Sequence, residues 1–170
     1  MNPLTRELEI TQNPALGAAI LWRYTIGYCP EDQPKINLPF HFLFLALPLV
    51  MNETTLNVLK RTNKSSGLMK FEAKFSDPKF NEIGRDELLA IHDRAFAQRE
   101  LTMRSLNIAI SCGLLVLDVK DGIIWPSKRT GLLTSQPENT KLMLRVAEQL
   151  GAWLNRFSNE EIATILKVKF

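Results

Sequence analysis

Two tripeptides in this chain, Glu72-Ala73-Lys74 and Asp118-Val119-Lys120, set a carboxylate and a lysine two residues apart. On a strand, that spacing lets the carboxylate hold Mg²⁺ while the ammonium steadies a phosphoryl transition state, which is nuclease chemistry. The second tripeptide follows an apolar segment, as that chemistry requires. Lys120, however, falls at a hairpin turn, and no acidic residue upstream on the same strand completes a metal site. A solvated hairpin end accounts for the same residues, so a metal-dependent nuclease is the least favoured reading. His92 and Asp93 are adjacent, and neighbours on a helix point about 100° apart, so they form no relay. His41 lies in an apolar run whose neighbours offer neither nucleophile nor acid; it reads as a buried histidine with its hydrogen bonds satisfied. The chain contains no GxxxxGK[ST] loop, no GxGxxG after a strand, no HExxH and no GxSxG elbow, which removes the recognised routes to ATP hydrolysis and acyl transfer. No catalytic residue, cofactor, metal site or small-molecule substrate is expected.

Composition is compatible with one domain over residues 1–170, since 45% hydrophobic content supplies a core. The net charge of +3 is unevenly distributed: Lys60, Arg61, Lys64, Lys70 and Lys74 face only Glu72 in their stretch. Such a patch is either a solvated face or a contact for DNA or an acidic partner. Cys29 and Cys112 match no metal or redox spacing and follow no secretory signal, which points to a reducing cytoplasm. Cys112, in an apolar run, is expected in the core.

The elements that would position these groups are mostly helical, giving an α+β fold dominated by short helices. Asn13 caps and Pro14 opens a first helix, with Leu16, Ile20, Tyr24 and Gly27 on one side and Ala15, Ala18, Ala19, Trp22 and Ile26 around the rest. A helix apolar nearly all round must be covered on several faces, by its own domain or by another subunit. The longest apolar run, residues 37–50, is bracketed by Pro39 and Pro48 and is far shorter than the ~20 residues that cross a bilayer. It reads as a buried short helix or strand, with no membrane association. Asn52 caps a helix to about Lys60, residues 62–67 form a loop, and a further helix carries Leu68, Met69, Phe71 and Phe75 before Asp77-Pro78 ends it. Residues 1–80 thus form a helical, partner-binding part.

Residues 86–126 read as a winged-helix-like unit. Asp86 to Gln98 and Leu101 to Cys112 have helical periodicity, Gly113 stops the second helix, and residues 114–126 form a hairpin turning at Asp121-Gly122. Were this unit a stand-alone DNA binder, Arg99, Thr102, Arg104, Ser105 and Asn107 would face a groove. Residues 136–170 hold the C-terminal helices. One runs from about Asn139 to Phe157 with an apolar stripe of Met143, Val146, Ala147, Leu150, Trp153, Leu154 and Phe157, and it is expected to pack one face only. The other is opened by a Ser158–Glu161 capping box.

Four segments, NPALGAAILWRYTIGY, LPFHFLFLALPLVMNETTLNVL, LTMRSLNIAISCGLLVL with GIIWP, and AEQLGAWLNRFSNEEIATILKV, resemble in order and spacing the middle component of bacterial three-component ABC-ATPase systems, which are similar to the Lamassu anti-phage and anti-plasmid operons. The resemblance implies a non-enzymatic subunit between an SMC-like coiled-coil ABC ATPase and an effector, commonly a nuclease, with DNA reached through the complex. On that reading Leu16, Ile20, Trp22 and Arg23 are candidates for the protein interface, and Lys60, Arg61, Lys64, Lys70 and Lys74 for DNA or an acidic partner. The rival classes are a stand-alone winged-helix DNA-binding protein and the metal-dependent nuclease.

Overall fold

The computed structural model describes residues 13–75, 77, 81–130 and 136–170. Pro78, one of the expected helix terminators, lies outside them.

Asn13 opens α1 (Pro14–Tyr28) as its sequence dictates: extended at φ −83° and ψ 103°, its side-chain oxygen accepts from the amides of Ala15 and Leu16 at 3.0 and 3.1 Å. The apolar run then divides into β1 (Leu38–Pro39), a single turn over Phe40–Phe42 and α2 (Leu43–Val50). Pro48 does not bracket this segment. The helix runs through it to Val50, giving up one hydrogen bond where every residue from Leu45 to Val50 is buried. After Asn52, whose side chain caps the Thr55 amide at 3.0 Å, come α3 (Glu53–Arg61) and α4 (Gly67–Phe75). The apolar run meets α3 at a bend of 95°, and among the described residues no single helix is long and apolar enough to cross a membrane.

Next come α5 (Asn81–Ala97) and α6 (Arg99–Ser111), then the hairpin of β2 (Leu115–Asp118) and β3 (Ile123–Pro126). The expected order of helix, helix and hairpin is present. A single residue, Gln98, joins the two helices, whereas a helix-turn-helix uses a turn of about three to four residues. The hairpin loop spans four residues, 119–122, rather than two, with Gly122 at φ 64°. β1 adds to the far side of β3, pairing Leu38 with Ile124, so the sheet is antiparallel in the order β1-β3-β2. Among the described residues the fold is therefore α+β and mainly helical, with α7 (Glu138–Leu154) and α8 (Asn159–Leu166) completing it.

α1 is the centre of the packing, and two helices cross it at glycines. A Cβ on Gly17 would stand 2.1 Å from Ser105 Oγ of α6. Farther along, a Cβ on Gly27 would stand 1.9 Å from the Glu148 carbonyl of α7, and one on Gly151 would stand 2.0 Å from the Tyr24 carbonyl. Only a hydrogen atom fits at each of these positions, against the Ser105 side chain at Gly17 and against backbone at Gly27 and Gly151. α1 is thus covered by its own chain, which buries Ala18, Ile20, Leu21, Trp22, Tyr24 and Tyr28. α7 buries more than one face, since Leu144 joins the expected stripe in the core. Its polar side chains also serve other elements. Gln149 Nε2 donates to the carbonyls of Leu59 and Thr62 at 3.4 and 3.1 Å, closing the C-terminal end of α3, and Asn155 Nδ2 donates to the Tyr28 carbonyl at 2.8 Å, closing that of α1.

Candidate functional site

Neither carboxylate-lysine tripeptide forms a strand-borne pair. Asp118 Oδ1 accepts from the amides of Lys120 and Asp121 at 2.9 and 3.3 Å, so its carboxylate closes the hairpin turn. Lys120 lies in that turn beside Val119, which is 83% exposed. Glu72 and Lys74 lie on α4, a helix, and Lys74 Nζ donates to the Arg61 carbonyl at 2.6 Å. Among the described residues no three of His, Cys, Asp and Glu come together as a metal site.

The histidines serve the chain terminus. His92 Nδ1 accepts from the Lys169 amide at 3.4 Å, which ties the tail to α5. His41 is not satisfied as expected: its buried Nε2 has no hydrogen-bond partner, and the ring lies instead 4.5 Å from Phe42 and 4.8 Å from Phe170. Desolvation among these rings lowers its pKa below the usual histidine value. The thiols also differ from expectation. Cys29 is the buried one, and burial pushes its pKa up to about 11. Cys112 is exposed because it is the C-cap of α6 and the chain turns at Gly113, φ 65°, before the buried helical face can continue through it.

The residues named for partners fall in different places. Ile20 and Trp22 are inside the core, and Leu16 is half-buried against it. Trp22 Nε1 donates to the Lys128 carbonyl at 2.6 Å, so both faces and the polar edge of this side chain are engaged by the chain itself. Lys60, Arg61, Lys64 and Lys70 are exposed, and Lys74 is half-buried. Of the five side chains proposed to read a groove, Thr102 and Ser105 are buried where α6 meets the rest of the fold, leaving Arg99, Arg104 and Asn107 exposed.

Arg23 alone among the α1 candidates opens onto a cavity. Its guanidinium pairs with Glu148 on α7, while, among the described residues, its buried Nε has no partner. The cavity has a volume of about 510 Å³, and its charged lining is Arg23, Lys64, Arg129, Arg156, Glu31 and Glu148. Arg129 Nε stands 3.8 Å from Glu31. Trp153, whose Nε1 donates to the Lys64 carbonyl at 2.8 Å, fixes the loop that carries Lys64 at the rim. Local sequence patterns could not assemble this group, since Arg23 and Glu148 are 125 positions apart. The available signal was the glycine at 151, one turn beyond Glu148, which marks the face of α7 that another backbone approaches.

Fold and cleft together define a mainly helical α+β protein whose charged side chains converge beside the crossing of its two central helices. The family model of the ABC-three component (ABC-3C) system Middle Component 3 matches residues 1–170, and the chain belongs to that family. It is thus a middle component of an ABC-three component system, with partners among the other components of that system. No curated protein and no solved structure matches the chain.

Proposed function

We propose that the chain is a non-enzymatic bridging subunit, linking an SMC-like ABC ATPase to an effector nuclease in a bacterial anti-phage and anti-plasmid complex similar to Lamassu. The observation that carries this reading is the family match along the entire sequence. The side chains that most resembled reagents add support, because Asp118 closes a turn, Lys74 binds a carbonyl and His92 holds the tail. The outer surface adds more. Leu89 and Phe96 lie seven residues apart on α5 and are 53% and 67% exposed, and Met103 and Ile110 repeat that spacing on α6. Large exposed apolar side chains repeated along one face of each helix suit surfaces covered in an assembly.

In this reading the ATPase senses unusual DNA or DNA ends, the middle subunit restrains the effector, and a change at the ATPase heads releases it. The chain supplies area and geometry, and the chemistry belongs to its neighbours.

Co-expression with the products of the adjacent genes, followed by affinity capture through a tag on this chain, tests the reading. Recovery of both the ATPase and the effector in one complex is expected. A solitary monomer that ignores both products, or a chain that cleaves DNA or turns over nucleotides unaided, overturns it.

A further inference from the structure

The cleft beside the α1–α7 crossing has a charge balance that the subunit role does not require. Four cations line it, against two carboxylates. Glu148 is paired with Arg23, and Glu31 lies within reach of Arg129, so the carboxylates are locally compensated. Lys64 and Arg156 form the uncompensated pair, leaving the cleft with two surplus positive charges. A phosphate monoester carries a charge of about −1.5 to −2 at neutral pH, which matches that surplus.

The size and remaining walls narrow the ligand. A phosphate alone would leave most of a cavity of about 510 Å³ empty, whereas roughly 300–1,000 Å³ is the usual range for sites that enclose a small organic ligand. Ile26, Pro30 and Ala152 supply an apolar wall against which a base can lie. Lys64 also belongs to the exposed basic stretch with Lys60 and Arg61, so a strand leaving the cleft would pass over further cations.

We infer that this cleft binds a nucleoside monophosphate group, with Lys64 and Arg156 taking the phosphate and Ile26, Pro30 and Ala152 flanking the base. The group is either a free nucleotide or the phosphorylated end of a nucleic-acid strand. The inference goes beyond the bridging role and does not depend on it.

Fluorescence anisotropy on the purified full chain at one fixed salt concentration tests it, using a labelled single-stranded oligodeoxynucleotide with a terminal phosphate and the same strand ending in a hydroxyl. The phosphorylated strand is expected to bind about tenfold more tightly. Lys64→Glu and Arg156→Glu should each erase that difference, with Lys64→Gln and Arg156→Gln as gentler variants and thermal melting to verify folding. Lys70→Glu, exposed but outside the cleft, should preserve the difference. Competition by deoxyadenosine monophosphate assigns the site to free nucleotide; a preference that survives this competitor assigns it to strand ends. Equal affinity for the two strands overturns the inference, as does an equal loss in Lys70→Glu or tighter binding of a tyrosine-phosphorylated peptide than of the nucleotide. A chain that fails here yet still captures its operon partners leaves the bridging role standing.

Discussion

At the crossing of α1 and α7, Gly27 and Gly151 bring two backbones together until no side-chain atom fits between them. On α5 and α6, by contrast, Leu89, Phe96, Met103 and Ile110 remain exposed to solvent, Phe96 with the Arg99 guanidinium 5.0 Å over its ring. Both regions are rich in apolar residues. α1, apolar nearly all round, looked like the surface awaiting a partner, yet the chain encloses it. α5 carries more charge and its spacing predicted a helix of the winged-helix-like unit, yet it retains exposed apolar side chains. Total hydrophobicity therefore does not locate an interface. Position relative to the domain's own packing does, because apolar area already buried cannot be buried again.

The difference can be broken most forcefully at the crossing. Gly151→Val would place side-chain atoms on the Tyr24 carbonyl, and the helices would have to separate; a loss of about 3 kcal/mol or more in urea unfolding, or failure to fold, is expected. A stable, well-folded variant would show that the crossing is slack. Tyr24→Phe is subtler. The fully buried hydroxyl donates to the Phe42 carbonyl at 3.0 Å, so removing it strands a buried acceptor and should cost about 2 kcal/mol in the same measurement.

A smaller effect is expected where the tail meets the apolar run. The folded protein holds His41 in its neutral form with a lowered pKa, so the unfolded chain binds the extra proton first on acidification. That contribution to stability is complete above the ordinary histidine value of 6.5 and is lost as pH falls from there toward the lowered value. Melting temperature followed across this range should decline in the natural chain and flatten in His41→Phe. An unchanged slope in the variant would remove the histidine from the account.

The outer faces should give the smallest change in stability and a large change in assembly. Replacing Leu89 and Phe96 together by serine should shift unfolding by less than ~0.5 kcal/mol, since exposed side chains contribute little to the fold. Capture of the operon partners should nevertheless fall. Full capture by a stable double variant would move the interface elsewhere, and a large loss of stability would show that these residues belong to the core after all.

Local signals in the sequence were legible wherever the determining atoms lie within about one helical turn. Asn13, Asn52 and the Ser158–Glu161 box cap their helices, with Glu161 Oε2 accepting from the Ser158 amide at 2.7 Å. The stripe on α7 and the existence of the hairpin were also readable from spacing. Pro48 misled as a boundary because burial of the surrounding residues outweighs one missing hydrogen bond. Cys112 misled because helical periodicity carries no record of where the chain turns away. Of the cleft, Lys64 could be named from the sequence, within its exposed basic stretch, and Arg23 as a separate candidate on α1. Their meeting with Glu148, Arg129 and Arg156 could not.

What the sequence alone determined was a mainly helical chain with well-marked starts and stops, because capping, turn chemistry and apolar period depend on neighbouring residues. The addition of Leu38 beside Ile124, the enclosure of α1 and the charged cleft were decided by tertiary structure. These arise from contacts across much of the chain, where close approach at a glycine and the geometry of crossing helices select which side chains meet.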